Sequence, residues 1–377
     1  MSSFHCHNCM RKHHLASILG RVHTHCLEMK LLKMWCFLPI AVVLLLSIIP
    51  TVTEVVMSMS DCSQFLLHGT PPQVPGILEG GKILNQNRYK PICQTYYNIT
   101  RFVTLYDIKN KIPVFSAKKY RGEQAKKRPG NYWKIEPQLE DEHDNKNMML
   151  GKRHMIYTHQ AGDGDYRYNG VYDRGHLIPS SYAFGKVDKT STFTLTNIVP
   201  QAATFNQGSW NRMERCIKCV MDKYCKNNND AIEGFVVTGA QPTSNTTLNN
   251  RINIPSMMWS AFCCYSSTRS MWLASAHWGD NVPESENKYL QTKTLAELYD
   301  QLRTVDSEFN VFPGAKCPLH TTVTEFYPEM NNTCNCSSSF STPSTSAPPT
   351  TPTDLSDPPT STLGSLSATS DFSPVNT

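Results

Sequence analysis

Apolar and polar positions alternate in short runs through the middle of the chain, and this spacing is typical of β-strands. The runs rich in β-branched and aromatic side chains cover residues 97–106, 112–115, 235–238, 257–265 and 271–277. The first two runs flank the polar residues 109–111, which favour a turn, so together they predict a β-hairpin. The other runs extend the prediction to a mixed, mainly antiparallel sheet.

Helical spacing of apolar residues is found in two stretches. Residues 208–224 carry apolar side chains three or four positions apart, such as Trp210 and Met213, which predicts an amphipathic helix. Residues 294–302 predict a shorter helix. A strand-rich chain with interspersed helices is typical of the α+β class. We expect residues 61–336 to form one domain, because neither a linker nor an internal repeat divides them.

An apolar block at residues 37–49 is shorter than the ~20 apolar residues of a comfortable membrane span. Lysines precede it and polar residues follow it, which predicts a signal peptide over residues 29–58, cleaved within residues 50–60. The alternative is an uncleaved signal anchor over residues 35–56, because apolar side chains continue beyond the block. Membrane attachment is expected only if the signal stays uncleaved.

The two ends of the chain differ from its middle in composition. Residues 1–28 are rich in Cys and His, which suits either a metal-binding head or, as we prefer, an extension ahead of a true start at Met29. Residues 337–377 are almost wholly Ser, Thr, Pro and small residues. They offer too few apolar groups to offset the entropy of ordering, so they predict a disordered, O-glycosylated tail.

Export is supported by glycosylation sequons and by the cysteines. The sequons begin at Asn98, Asn245, Asn331 and Asn335. The cysteines beyond the signal, which are even in number, predict a disulfide framework in a secreted, extracellular glycoprotein. Zinc binding by Cys216, Cys219 and Cys225 is the weaker interpretation, because a second pair at matching spacing and a nearby histidine are missing.

The formal charge of +5 is mildly basic, which suits a polyanionic partner without requiring one. Basic residues concentrate in residues 118–128. This run is either a phosphate-binding segment or a solvated loop.

Candidate chemistry is concentrated in residues 172–179, 196–201 and 205–214. These segments carry a histidine, arginines, side-chain amides and a carboxylate. Phosphodiester hydrolysis needs a base that activates water, and histidine suits this task because its pKa lies near working pH. It also needs a cation beside the phosphate, and an arginine fork matches phosphate oxygens. Oxygen ligands favour Mg²⁺, which keeps several of its waters.

Spacing separates the roles of Asn206 and Glu214. In one continuous helix they would lie ~12 Å apart along the axis, at ~1.5 Å per residue. Both could not then bind one ion directly. We therefore expect Asn206 to bind the metal and Glu214 to orient a metal-bound water.

The order Asp-Arg-Gly-His at residues 173–176, Asn-x-x-Pro-Gln at 197–201 and Asn-Gln-Gly-x-Trp-x-x-x-Glu at 206–214 resembles the signature of the DNA/RNA non-specific endonuclease family. The resemblance covers roughly residues 90–315. It implies a ββα-metal active-site motif with flanking helices. It also implies metal-dependent, sequence-non-specific hydrolysis of DNA and also RNA, with contacts to the phosphate backbone. No protein partner is indicated.

The resemblance also implies individual roles. His176 would be the base that activates water. Asn206 would be the sole direct protein ligand of Mg²⁺ or of another divalent cation such as Mn²⁺, and Glu214 would hold a water of that cation. The family fold places the histidine on a strand of a β-hairpin and the asparagine on the following helix.

The remaining roles implied by the resemblance concern the substrate and the shape of the site. Asn197 would help to orient the site, and Arg174 would contact the phosphate. Arg128 would be a further phosphate-binding arginine, although residues 129–132 separate it from Trp133 where the family has a shorter spacing.

Two other functions remain open. One is a catalytically silent extracellular module that keeps the fold and binds nucleic acid or another molecule. The other is an interaction protein in which residues 337–377 matter most. If His176 is the base, the rate is expected to fall as pH drops through about 6.5, the ordinary histidine pKa. If residues 118–128 contact phosphates, nucleic-acid affinity is expected to drop steeply with salt.

Overall fold

An antiparallel six-stranded sheet forms the centre of the fold, in a computed structural model that describes residues 54–124, 127–152, 154–167 and 170–327. The longer strands are, in chain order, β1 Tyr89–Tyr96, β2 Ile99–Asp107, β3 Ile112–Tyr120, β4 Tyr172–His176, β5 Ile198–Ala202, β6 Gly234–Gln241, β7 Met257–Ser266 and β8 Met271–Asp280. The sheet has the order β8-β7-β6-β3-β2-β1, and β4 pairs with β5 apart from it.

Short elements surround this sheet. The helices are α1 Lys186–Ser191, α2 Asn211–Tyr224, α3 Leu295–Leu302 and α4 Val323–Phe326. A turn of α-helix at Ala203–Phe205 and a π-helical turn at Asn206–Trp210 lead into α2. Two-residue strands pair as Leu78–Glu79 with Lys82–Ile83, Lys134–Ile135 with Met149–Leu150, and Thr247–Leu248 with Ile252–Asn253. The 3₁₀ turns are Met59–Phe65, Leu67–Gly69, Pro137–Leu139, Asp163–Tyr166, Ser180–Tyr182 and Leu195–Asn197.

These elements confirm the predicted α+β class and its mainly antiparallel sheet. Strand β2 begins after the expected residue 97, because Tyr97 and Asn98 have positive φ and form the turn that follows β1. Strand β1 itself was not predicted. It is an edge strand of the sheet. Pro91, which has no N–H to donate, is tolerated there because no second strand of the sheet needs a hydrogen bond from this position.

The sheet separates two hydrophobic clusters, and neighbouring residues of a strand enter opposite ones. On β6, Val236 packs in the cluster that also holds α2, whereas Val237 packs in the cluster that holds α3. Burial on both faces explains why the central strands are continuous apolar runs.

None of the helices in the described ranges has the length and apolar character of a membrane span.

The same alternation separates two adjacent cysteines. Cys263 forms a disulfide with Cys317 on one side of the sheet, and Cys264 forms one with Cys225 on the other. Cys62–Cys93 is a further pair, and Cys216 and Cys219 on α2 are also disulfide-bonded. The predicted disulfide framework is thus confirmed for these cysteines. The alternative zinc site at Cys216, Cys219 and Cys225 is wrong.

The basic run at residues 118–128 is not one loop. Lys118 lies on β3 with only 5% of its surface exposed, and its Nζ donates to the Arg101 carbonyl (2.8 Å) and to Asp188 (3.0 Å). Lys119 pairs with Glu233 at 2.7 Å. The ammonium groups of both lysines therefore already bind protein groups and are not available for phosphate contacts.

The described chain begins within the predicted signal peptide. Glu54 is buried, and Val55 pairs with Ile92 on the outer edge of β1. The Glu54 carboxyl accepts from the Thr95 N–H (2.9 Å). The folded region therefore includes residues before 61, the expected start of the domain. The interpretations of residues 1–28 and 337–377, and of residues 29–53 within the signal, lie outside the described residues.

Glu54 and Glu136 form a buried carboxyl pair. Burial, followed by the charge of Glu136 and a hydrogen bond with it, raises the pKa of Glu54 well above its usual range. Burial also raises the pKa of Glu136, whose Oε1 accepts from Thr194 and Thr196 at 2.6 and 3.0 Å. The pair therefore retains a proton at a pH where the unfolded chain has released it.

The variant Glu54→Gln is expected to lose less stability than the native chain as pH rises. With a raised pKa in the fold, stability is present below the ordinary carboxyl pKa and is lost as pH climbs toward the folded value. The glutamine side chain is uncharged at every pH, and its amide N–H takes the place of the proton that Glu54 and Glu136 share. Its advantage should grow between pH 5 and pH 8, by at most about 1.4 kcal/mol per pH unit for one proton. Thermal unfolding at both pH values, with the exposed Glu142→Gln as control, measures this. Equal pH slopes for all three proteins would contradict it.

Candidate active site

A polar cleft of about 590 Å³ opens where β4, the segment after β3 and the start of α2 meet. Five of the six residues singled out from the sequence line it, namely Arg128, Arg174, His176, Asn206 and Glu214. Asn197 does not line the cleft. The structure thus brings together side chains that are spread over residues 128–214.

Strands β4 and β5 and the helix that follows them form a ββα unit. Asp173 lies opposite Gln201, and His176 lies opposite Ile198. Gly175 is required between them, because a Cβ at this position would lie 2.5 Å from the Gln201 Cβ and still closer to its side-chain oxygen. The Asp-Arg-Gly-His order therefore encodes a close approach of two strands as well as chemistry.

His176 is buried among aromatic rings. Its ring centroid lies 5.4 Å from that of Trp133 and 4.9 Å from that of Phe193. Burial, assisted by the charge of Arg128, lowers the pKa of His176 to about 3. Its Nε2 is buried without a hydrogen-bond partner among the described residues. The imidazole is thus neutral over the physiological range and can accept a proton.

This environment corrects the expected pH dependence. An acid limb near pH 6.5 assumed an ordinary histidine, whereas the buried ring stays unprotonated down to about pH 3. Activity that persists well below pH 6.5 is therefore compatible with His176 as the base.

Asn206 is held by Asp173. The Asn206 Nδ2 donates to Asp173 Oδ2 at 2.9 Å, and Gln207 Nε2 donates to the same oxygen at 2.9 Å. Because its nitrogen is engaged, the amide presents its oxygen as the atom left for a cation. An amide oxygen is a ligand that Mg²⁺ accepts.

The continuous helix from Asn206 to Glu214 that the ~12 Å separation assumed is interrupted, and the predicted helix over residues 208–224 is regular only from Asn211. Gly208 has φ −92° and ψ −114° within the π turn, and the regular helix begins only at Asn211. The ~12 Å axial separation derived for a straight helix therefore does not apply, and both side chains line one cleft. A π turn at this position is typical of functional sites. The direct role of Asn206 and the indirect role of Glu214 remain predictions.

The carboxyl group of Glu214 is removed from water by burial. Burial raises its pKa to about 8, against the smaller opposing effects of Trp210, Arg128 and Arg215. A divalent cation nearby would favour its charged form. The unpartnered His176 Nε2, the oriented Asn206 amide and this carboxyl fit a cation that keeps most of its waters. The candidate site differs from a cluster of three or more His, Cys, Asp or Glu side chains, and no such cluster is found among the described residues.

Asn197 is fully buried behind the cleft. Its Nδ2 donates to the Ile178 carbonyl (2.9 Å) and to the Thr192 carbonyl (3.1 Å), and its Oδ1 accepts from the Ile178 N–H (3.1 Å). It therefore ties the segment that follows His176 to the segment that precedes β5. These contacts suit the predicted orienting role.

Arg174 and Arg128 differ in whether a carboxylate already pairs with the guanidinium group. Arg174 Nη2 donates to the Asp163 carboxylate (2.8 Å) and carbonyl (3.0 Å), so its charge is already paired. Arg128 lies over the Phe193 ring at 5.1 Å, and no carboxylate within the described ranges lies at ion-pair distance from it. Its charge lowers the pKa of both His176 and Glu214. Arg128 is thus the better placed of the two for a phosphate.

Sequence reasoning missed other residues of the cleft. Lys189 on α1 is buried and pairs with Glu123, and both line the cleft. Neither belongs to a motif, so no pattern marked them. The role of Asp173 was also missed, although the residue stands inside the quoted motif and its position opposite Gln201 follows from strand pairing.

Residues 79–316 match the family described as DNA/RNA non-specific endonuclease. The chain belongs to this family. As a member of the non-specific endonucleases it is similar to human Endonuclease domain-containing 1 protein, with 27% identity over 213 residues, which are 54% of this chain and 39% of that protein. The mouse protein of the same name gives 27% over 215 residues, 54% and 38% of the two chains. The chain thus matches about two fifths of the length of these relatives.

More distant similarity extends to other nucleases. Human mitochondrial Endonuclease G is 34% identical over 67 residues, which are 18% of this chain and 22% of that one. A crystal structure of the EndoG/EndoGI complex aligns with a TM-score of 0.41 and 16% identity, over 54% of this chain and 81% of the other.

Proposed function

We propose that this non-specific endonuclease family member is a metal-dependent enzyme that hydrolyses phosphodiester bonds of DNA and RNA without base preference. One observation carries the proposal. A neutral histidine with a free, buried Nε2 and an asparagine held with its amide oxygen available lie in the same polar cleft.

The residues of the cleft divide the work. His176 would take the proton of the attacking water at its unpartnered Nε2. Asn206 and Glu214 would hold Mg²⁺ or Mn²⁺, the first directly and the second by orienting water beside it. That cation, when bound, supplies neutralising charge at the phosphate and at the leaving oxygen.

The substrate would be held through its phosphates. Arg128 would bind a phosphate oxygen, and Arg174 would do so only by sharing its charge with Asp163. Contacts of this kind do not read base sequence.

We further propose that the protein acts outside the cell. A signal cleavage before Glu54 would preserve the contacts of Glu54 and Val55 with β1.

The test of this proposal is the digestion of mixed-sequence DNA and RNA by the full-length chain with Mg²⁺, followed by sequencing of the product ends. All four bases are expected at the cut sites in similar proportion, with both polymers degraded. A strong bias toward one base would contradict non-specific cleavage, and intact RNA would restrict the substrate to DNA. A correctly folded chain that binds nucleic acid but cuts neither polymer would favour the silent binding module.

A further inference from the structure

The π turn that carries Asn206 is braced from outside the ββα unit by the segment that follows β8. Asn281 starts this segment. Its Nδ2 donates to the Pro200 carbonyl (2.9 Å), and its Oδ1 accepts from the Ala202 N–H (2.8 Å). The segment is thereby fixed to the end of β5, which the helical turn Ala203–Phe205 separates from the π turn.

Glu284 makes the central contacts of the brace. Its Oε1 accepts from the Ser209 N–H (2.7 Å), and its Oε2 accepts from the Ser209 Oγ (2.9 Å). Its own N–H donates to the Thr204 Oγ1 (2.9 Å). The Glu284 side chain is only 2% exposed, and the nearest cation is Lys288 at 3.8 Å. Glu284 is thus bonded on both sides of Asn206, through its buried carboxylate to Ser209 and through its backbone N–H to Thr204.

The Glu284 carboxylate supplies acceptors to the π turn. Because Gly208 departs from helical φ and ψ, the Ser209 N–H precedes the regular helix α2 and needs an acceptor from elsewhere. A carboxylate at the N-terminal end of a helix supplies that acceptor and also complements the helix dipole. A Cβ at Gly208 would lie 2.6 Å from the Glu284 Oε1, so the glycine makes room for it.

A second contact holds the first turn of α2 to the same segment. Arg212 Nη2 donates to the carbonyls of Glu286 (2.6 Å) and Lys288 (2.8 Å). None of the residues of this segment lines the cleft. The brace therefore acts on the site through the π turn and not by touching what the cleft would bind.

We propose that Glu284 is a positioning residue that sets the affinity of the cleft for a divalent cation by fixing the π turn beneath Asn206. The inference rests on the proposed role of Asn206 as metal ligand. With Glu284 in place, Asn206 and Asp173 meet at a fixed distance. Without it, the turn can relax into regular helix and carry the Asn206 amide away from Asp173.

The test is direct titration of the full-length chain with Mn²⁺ by calorimetry, independent of cleavage. Glu284→Ala is expected to bind Mn²⁺ about 10- to 100-fold more weakly, the range found when a residue that orients a metal ligand is removed. Glu284→Gln should restore binding to within about threefold, because its amide can still pair with the Ser209 N–H and hydroxyl. Glu142→Ala, which removes an exposed carboxylate outside the brace, should bind as the native chain does.

The outcomes separate the two proposals. Native binding of Mn²⁺ with an unchanged dissociation constant in Glu284→Ala would overturn the role of Glu284 alone. A native chain that binds no Mn²⁺ would overturn the Asn206 site and the brace together. Should Glu284→Ala fail to fold, Ser209→Ala carries the test, with a smaller loss expected because one bond of the pair remains. Partial unfolding would lower the binding stoichiometry and leave the dissociation constant unchanged.

Discussion

Asn206→Ala is expected to weaken Mn²⁺ binding by more than about 100-fold and to lower nuclease activity at least as far. The reason is that residues which only orient a ligand cost up to about 100-fold when removed, and the direct ligand costs more. Asp173 would lose the group it holds at 2.9 Å, while its bond with Gln207 could remain. Calorimetric titration with Mn²⁺ measures the loss.

The matched control for this prediction is Asn229→Ala, which removes an exposed asparagine of the loop after α2. It should bind Mn²⁺ with the native affinity. If Asn206→Ala also binds Mn²⁺ as the native chain does, Asn206 is not the ligand, and Asp173 becomes the residue to test.

Gly175→Ala is expected to destabilise the fold by about 3 kcal/mol, at the upper end of overpacking effects. The added Cβ would lie 2.5 Å from the Gln201 Cβ, in a place where Gln201 is fully buried and cannot move into solvent. Relief requires β4 and β5 to separate, which would displace His176 and Asp173 together. Chemical denaturation measures the free energy of unfolding, and cleavage assays measure the accompanying loss of activity.

Gly164→Ala is the control for this variant. Nothing lies within 4 Å of a Cβ placed at Gly164, and its φ is not in the left-handed region. Its free energy of unfolding should equal that of the native chain or exceed it by up to about 1 kcal/mol, because alanine lowers the entropy of the unfolded chain. Equal stability of Gly175→Ala would show that the two strands tolerate a wider spacing than the structure has.

Much of the fold was predictable because its signals are local. The strands of the central sheet are long apolar runs, and buried strands of this kind are recognisable by composition. The candidate site was predictable for another reason. His176, Asn206 and Glu214 stand in the order and at the gaps of the family signature that the sequence resembles, and the ββα unit brings them into one cleft.

The rest depended on contacts between distant parts of the chain. Asp163 pairs with Arg174, and Glu284 holds Ser209, across separations that carry no pattern. The burial of Lys118 within a basic run was equally hidden, because a charged side chain in a sequence predicts exposure unless its acceptors are known. The pKa of His176 depends on the aromatic rings that enclose it, which only the folded chain supplies.

We propose that His176 is the base of a metal-dependent nuclease. Its role is tested by comparing the initial rate of plasmid cleavage by the full-length chain, His176→Ala and His277→Gln, with Mg²⁺ or with EDTA. His277 is the matched control, since it is a buried histidine whose burial also lowers its pKa to about 3, in strand β8 outside the cleft. We expect cleavage that EDTA abolishes, native rates for His277→Gln, and a loss of about 10²- to 10⁴-fold for His176→Ala. Equal rates for the native chain and His176→Ala, or no cleavage by the folded native chain, would contradict it.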